Sequence, residues 1–160
     1  MMSLQNELGL PNPIQNPRHE TLMSLVLTGA MLTKEGDRLL SEFGLTDSQF
    51  NVLMLLRYQA DDGQLSQTQL GQMLLVNRSN VTGLVDRMEK AGWVQRTSMK
   101  GDRRVKQIKL TPAGRRLVER AEKTYFKRID MALASLSDTE QSQLRGMLAR
   151  IRQRIHVEMD

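Results

Sequence analysis

The chain has 160 residues, and its 23 basic and 18 acidic side chains give it a net charge of +5. It contains no cysteine, which excludes a disulfide scaffold, a thiolate metal site, a nucleophilic cysteine and thiol-based redox sensing. No stretch approaches the ~20 apolar residues that span a bilayer, and the N-terminus lacks the apolar run of a signal peptide. Its two histidines, His19 and His156, lie at opposite ends of the chain, so we expect neither a metal site nor another cofactor. A cytoplasmic, mainly helical protein without a membrane partner is therefore predicted.

The first 44 residues predict an arm followed by a long helix. Residues 1–17 are polar and contain three of the four prolines, which predicts an arm without regular structure. From about Arg18 to Phe43, apolar residues recur at the spacing of a partly buried helix. Gly44 can end that helix because glycine tolerates a positive φ.

Two capping boxes and one further N-cap predict three helices in the next part of the chain. Thr46-Asp-Ser-Gln49 starts the first of them and Ser66-Gln-Thr-Gln69 starts the second, because each motif satisfies free backbone N–H groups at a helix start. Asn77 is a candidate N-cap for the third, which Gly92 ends. Four apolar residues at helical spacing define the inward side of this third helix: Val81, Leu84, Val85 and Met88.

A β-hairpin and two helices complete the predicted elements. Two alternating runs, 93–97 and 105–110, predict short strands, and the charged segment Ser98–Arg104 between them predicts a basic tip. Thr111-Pro112 opens a helix that runs to about residue 134, and a third capping box, Ser137-Asp-Thr-Glu140, opens the last helix. The predicted fold class is therefore mainly α with a small β-wing (α+β). The last helix carries a coiled-coil-like apolar seam that requires a partner helix: Leu144, Leu148, Ile151 and Ile155.

Charge is distributed unevenly along the chain. Residues 77–109 hold nine basic and three acidic side chains, a net charge of +6, whereas residues 1–65 have a net charge of −4. Such asymmetry indicates a surface that faces a polyanion. The alternative is a basic face that is only solvated and has no partner.

A short helix, a turn and a second helix with a polar outer face predict a helix-turn-helix, whose second helix fits the major groove of DNA. Asn80 can contact adenine at two atoms, Arg87 can contact guanine or phosphate, and Gly83 lacks a side chain at the point of closest approach. Asp86 could orient a neighbouring arginine. The candidate DNA contacts on this recognition helix are Arg78, Ser79, Asn80, Thr82, Gly83, Asp86 and Arg87.

The hairpin that follows predicts a second DNA contact, because a two-stranded wing can place arginine in the adjacent minor groove. Which of Arg103 and Arg104 enters the groove stays open, and Asp102 either braces Arg104 or forms only a surface ion pair. The candidate wing contacts are Lys100, Asp102, Arg103, Arg104 and Lys106. Further candidates lie at the start of the helix that precedes the recognition helix: Ser66, Gln67 and Gln69.

Two segments of the predicted winged helix carry a further signal: Leu84-Val-Asp-Arg-Met-Glu-Lys-Ala-Gly-Trp-Val94 and Gly101-Asp-Arg-Arg-Val-Lys-Gln-Ile-Lys-Leu-Thr-Pro-Ala-Gly114. Both segments resemble the MarR family of winged-helix transcriptional regulators. The resemblance implies a winged helix-turn-helix over 45–111, and a helical dimerisation region formed by 18–44 with 112–160, preceded by the flexible arm 1–17. It also implies a homodimer on a pseudo-palindromic DNA operator, and modulation by a small aromatic or phenolic anion.

We therefore predict a homodimeric, sequence-specific, DNA-binding transcriptional regulator, a ligand-responsive repressor without catalysis. The recognition helix 77–91 would lie in the major groove and the wing 93–110 at the minor groove. The dimer interface would include 137–157 and the first long helix, and the effector pocket would be lined by Met31, Met54 and Leu55. The alternatives are a winged-helix protein-interaction module, and a constitutive DNA binder without a ligand. An enzyme is not supported, since the sequence shows no nucleophile–base pair, metal-ligand spacing or phosphate-binding glycine loop.

Overall fold

A computed structural model describes residues 3–60, 63–74, 78–99 and 102–159, with the backbone alone at 78, 79, 99, 102–105 and 156–159. The predicted fold class is confirmed, since seven helices and a small three-stranded sheet make up these ranges. No helix within them is long and apolar enough to cross a membrane. In chain order the elements are α1 (Leu4–Leu8), α2 (Pro17–Ser41), α3 (Asp47–Tyr58), β1 (Gln64–Ser66), α4 (Gln67–Leu74), α5 (Arg78–Lys90), β2 (Val94–Met99), β3 (Asp102–Leu110), α6 (Pro112–Leu133) and α7 (Asp138–Met159).

The described chain divides into two compact units, Met1–Ala121 and Glu122–Asp160. The division falls inside α6, and α2 belongs to the same unit as α3, α4, α5 and the sheet. The predicted grouping of 18–44 with 112–160 into one dimerisation region stays a prediction.

The prediction that residues 1–17 lack regular structure is wrong for α1. The Ser3 side chain accepts a hydrogen bond from the Asn6 N–H at the start of this helix, and Gly9 ends it in the left-handed conformation with φ 62°. Leu4 is buried. Both caps are local signals that can start and end a helix within a polar segment. Burial of the Leu4 side chain stabilises this helix further, and the composition of the segment does not reveal that contact.

The core of the first unit lies between α3, α4, α5 and the sheet. Its largest fully buried side chains are Phe50, Leu40, Leu53, Leu65, Leu70, Met88 and Ile108. The predicted capping box at Thr46 and Gln49 is present and starts α3. The Arg57 guanidinium binds the Glu119 carboxylate at 2.8 Å, and this ion pair joins α3 to the first half of α6.

The sheet is antiparallel, with strand order β1-β3-β2. Strand β1 was not predicted; it pairs Leu65 with Ile108, and both side chains are buried. The hairpin strands also extend further than predicted, because Met99 pairs with Asp102. Arg103 and Arg104 therefore belong to strand β3, not to the loop that was predicted between the strands.

A close contact joins the start of α6 to the start of β2. Thr111 caps α6: its Oγ1 accepts from the Gly114 N–H at 3.0 Å and donates to the Gly92 carbonyl at 2.6 Å. The Thr111 N–H donates to the Trp93 carbonyl at 3.0 Å. A Cβ atom on Gly114 would lie 1.9 Å from that same Trp93 oxygen, so this position accepts only glycine.

The second unit contains the end of α6 and α7. The predicted capping box at its start is confirmed, because the Ser137 N–H donates to Glu140 Oε2 at 2.8 Å and the Glu140 N–H donates to Ser137 Oγ at 3.4 Å. The hydrogen bonds from Ser137 lower the pKa of the Glu140 carboxyl. Three members of the predicted seam are exposed in α7: Leu144, Ile151 and Ile155.

Candidate nucleic-acid interface

Helix α5 presents the polar face that the sequence predicted. Its four inward residues are confirmed, since Val81, Val85 and Met88 are fully buried and Leu84 is 6% exposed. The rest of the helix exposes Asp86 and Lys90 on the side opposite this stripe and Asn80, Thr82 and Arg87 on its flanks. Amide and hydroxyl groups on an exposed helix face can donate to and accept from base edges.

The start of α4 uses its polar side chains within the protein. The Ser66 N–H donates to Gln69 Oε1 at 2.8 Å, and the Gln69 N–H donates to Ser66 Oγ at 3.2 Å, so both side chains cap α4. Gln67 instead reaches the recognition helix, where its Nε2 donates to Thr82 Oγ1 at 3.2 Å. This bond fixes the position of one polar group on the candidate reading face.

An ion-pair network joins the recognition helix to the wing. Arg96, on β2, donates from Nη1 to Glu89 Oε2 and from Nη2 to Asp86 Oδ1, both at 2.5 Å. Its backbone N–H donates to Glu89 Oε1 at 2.8 Å, and this bond lowers the pKa of the Glu89 carboxyl. Burial acts to lower the pKa of Arg96, but the hydrogen bonds to both carboxylates outweigh it and raise that pKa.

The sequence reasoning named Asp86 but missed Arg96 and Glu89 as site residues. Asp86 was expected to orient a neighbouring arginine, and the structure identifies that arginine as Arg96 of β2. The available signal was the spacing of Asp86 and Glu89, which places two carboxylates on one helix face just before the strand that carries an arginine.

Several candidate contacts lie partly or wholly outside the described residues. Lys100 and the predicted N-cap Asn77 belong to segments that the structure does not describe. Among the described wing side chains, Lys106 is exposed and its Nζ donates to Ser98 Oγ across the hairpin at 3.0 Å. Five candidates are described by backbone position alone: Arg78 and Ser79 in the first turn of α5, and Asp102, Arg103 and Arg104 in β3.

Arg87 folds back along the recognition helix. Its Nη1 lies 3.6 Å from the position of a Cβ built on Gly83. Arg87 and Asn80 also line a cavity of about 360 Å³ with the N-terminal end of α3, where Asp47 lies. Burial raises the pKa of the Asp47 carboxyl, and the negative charge of Asp37 raises it further. The Arg87 guanidinium and the Asp47 carboxyl therefore line the same cavity beside α5.

Two of the three predicted effector-pocket residues line the same cavity. Met54 and Leu55 line a cavity of about 320 Å³ between α3 and α4, together with Asn51, Tyr58, Gln59, Met73 and Leu74. Met31 lies on α2, is 57% exposed and is not among the residues lining that cavity. The residues that line the cavity offer apolar walls, one phenol and two amides.

The described side chains of this surface carry hydrogen-bonding groups of several kinds. They include amide, hydroxyl and guanidinium groups, which can bind base edges and phosphates. Within the described ranges, no three His, Asp or Glu residues are grouped so that they could hold a metal ion.

Compared with known proteins, residues 43–105 match the model of the MarR family. The HTH-type transcriptional regulator PecS of Dickeya dadantii is 32% identical over 115 residues, which cover 72% of this chain and 69% of PecS. The HTH-type transcriptional repressor YetL of Bacillus subtilis is 32% identical over 117 residues, which cover 73% of this chain and 70% of YetL.

Solved structures show the same fold. The MepR–DNA complex of Staphylococcus aureus has a TM-score of 0.77 at 23% identity, over 82% of this chain and 96% of MepR. CouR from Rhodococcus jostii, bound to p-coumaroyl-CoA, has a TM-score of 0.76 at 29% identity, over 86% of this chain and 95% of CouR. These likenesses confirm the winged helix-turn-helix. The chain belongs to the MarR family of HTH-type transcriptional regulators.

Proposed function

We propose that this regulator acts in the cytoplasm by reading a DNA operator with α5 in the major groove and the wing at the minor groove, without catalysis. The observation that carries the proposal is the exposed polar face of α5, where Asn80 and Thr82 flank a buried apolar stripe and are themselves exposed. MepR, which has the same fold, has been solved as a DNA complex. Phosphate contacts by Lys and Arg would position the protein, and base contacts by α5 would supply specificity.

A homodimer is the assembly that fits this function. In α7, Leu144, Ile151 and Ile155 are 39%, 40% and 50% exposed, and a second copy of the helix would bury them. Helix α2 also exposes apolar side chains, among them Leu22 and Val26. A two-fold symmetric dimer binds two half-sites related by the same symmetry, so the operator would be pseudo-palindromic.

We further propose that the protein is a repressor released by a small aromatic or phenolic anion. YetL, one of the relatives, is a transcriptional repressor, and CouR binds a p-coumaroyl thioester. The cavity of Met54 and Leu55 has about 320 Å³, within the range of small-molecule sites. Its position beside α4 would let a bound ligand shift the helix that precedes the recognition helix.

The first test separates the two DNA-reading parts. Asn80→Ala is expected to cost about 1–3 kcal/mol on an operator selected from random duplexes, with far less loss on scrambled DNA and little change in salt dependence, because Asn80 reads bases. Arg103→Ala and Arg104→Ala are expected to differ: the one that removes the groove-inserting arginine should flatten the log–log salt dependence by roughly 0.9. Binding titrations on both duplexes at several salt concentrations measure these effects.

Equal losses for all three variants on both duplexes, with the same change in salt slope, would contradict this division between helix and wing. If the unmodified protein binds no duplex at moderate salt, the winged helix is better interpreted as a protein-interaction module.

The second test concerns the effector. Salicylate at millimolar concentration is expected to weaken operator binding about 5-fold or more, the lower end of common coupling energies. Met54→Trp should fill the cavity and remove this response while DNA binding persists. Met31→Trp is the matched control, since Met31 lies outside that cavity, and it should respond normally. If small aromatic anions leave operator binding unchanged, the protein is a constitutive binder.

A further inference from the structure

We propose that Arg96 is a positioning residue that locks the wing to the recognition helix, so that α5 and the wing read DNA as one rigid unit. The proposal rests on the DNA-binding function proposed above. It also assigns Asp86 and Glu89 to holding Arg96, which removes Asp86 from the candidate base contacts.

The geometry of the network is that of a bridge between two elements. Asp86 and Glu89 lie three residues apart on α5, which places their carboxylates side by side on one helix face. The planar guanidinium of Arg96 binds one carboxylate with each terminal nitrogen. The Arg96 backbone N–H adds a third bond, to Glu89, so both the main chain and the side chain of β2 are held.

Burial shows which way Arg96 faces. Its side chain is 21% exposed, whereas Asp86 is 58% and Glu89 is 38% exposed. The guanidinium is therefore more enclosed than either carboxylate that it binds, and both terminal nitrogens are already engaged. An arginine in this arrangement is poorly placed to reach a phosphate, and its effect on DNA binding is transmitted through the elements it joins.

The position of Arg96 along β2 makes this bridge effective. Arg96 pairs with Ile108, which is fully buried, and the hairpin continues outward from there to the Met99–Asp102 pair. A two-stranded hairpin is only marginally stable by itself. At Ile108 strand β1 holds the β3 side of the hairpin, and the bridge holds the β2 side to α5, so α5 helps to set the direction in which the wing leaves the domain.

Electrostatics give the bridge a second role. Two carboxylates on the helix that faces DNA would repel phosphates, and Arg96 offsets one of their two charges within hydrogen-bonding distance. The same pairing occupies Asp86 Oδ1, which accepts from Arg96, and on this basis Asp86 is assigned to the bridge and not to a base.

The test compares Arg96→Lys and Arg96→Gln with the unmodified protein on two duplexes. One is the selected operator with its flanks, and the other is trimmed of the flanking pairs that the wing would contact. Arg38→Gln is the matched control, because Arg38 forms a similar forked ion pair with Glu35 on the exposed side of α2. Thermal unfolding of each variant shows that it is folded.

On the flanked operator, both Arg96 variants are expected to bind about 10-fold more weakly, because lysine keeps the charge but cannot bridge two carboxylates as a fork does. On the trimmed duplex the affinity of both Arg96 variants should fall by less than about 3-fold. This duplex lacks the base pairs that the wing would contact, so a displaced wing has little effect. Asp86→Asn added to Arg96→Gln should cost nothing more, whereas a base-reading Asp86 would add its own loss. Arg38→Gln should bind both duplexes normally.

Three results would overturn the proposal. If Arg96→Lys binds the operator with full affinity, Arg96 acts through its charge, as a contact to phosphate. Equal losses on both duplexes would make it a residue of general stability, and an additional loss from Asp86→Asn would return Asp86 to base reading. Failure of the unmodified protein to bind any duplex would instead refute the proposed function itself.

Discussion

Replacing Leu148 and Ile151 together by aspartate is expected to give monomers that bind the operator at least about 100-fold more weakly. The two changes place four carboxylates in the seam of a symmetric α7 pair, where each would be buried without a partner. A dimer holds its second reading helix near the second half-site at high effective concentration, and that advantage reaches 10²–10⁴-fold. Light scattering measures the assembly, and titration of the operator measures the affinity.

Ser142→Asp with Gln153→Asp is the matched control for this experiment. Both residues are exposed on α7 and lie on the side of the helix opposite the seam, so they add the same charge without entering the interface. This variant should remain dimeric and bind normally. A Leu148→Asp, Ile151→Asp protein that is still dimeric would refute the role of the α7 seam in assembly.

Replacing Gly114 by alanine is expected to destabilise the first unit by about 3 kcal/mol. The new Cβ would lie 1.9 Å from the Trp93 carbonyl oxygen and 2.8 Å from its carbon. Both atoms belong to the backbone, so no rotamer change relieves the overlap, and the start of α6 must move away from β2. That movement would also break the hydrogen bonds from Thr111 to Gly92 and Trp93.

The control is Gly146→Ala in α7, where a Cβ would meet nothing within 4 Å. Alanine is favoured over glycine inside a helix, so this variant is expected to gain about 0.5–1 kcal/mol. Chemical denaturation of both variants gives the two free energies of unfolding. Equal stability of Gly114→Ala and the unmodified protein would show that the contact between α6 and β2 is not required.

Short-range patterns were sufficient to predict most helices and the reading face. The capping boxes at Thr46, Ser66 and Ser137 depend on residues three positions apart, and all three form as predicted. The inward side of α5 follows from helical periodicity alone, because burial of one apolar stripe determines which residues face outward. The candidate base contacts Asn80 and Thr82 could be named for that reason.

Contacts between residues distant in sequence were decided only by the tertiary structure. Strand β1 has three residues, and Leu65 becomes part of a strand only because Ile108 of β3 pairs with it. The sequence likewise could not show that Met54 lines a cavity whereas Met31 is exposed. An apolar residue at helical spacing has the same pattern in both places. What the sequence determined by itself is the six longer helices, α2 to α7, and the polar face of α5, because these depend on neighbours within one or two turns. The choice of Arg96 as the partner of Asp86 and Glu89 was decided by the tertiary structure, because it depends on how β2 packs beside α5.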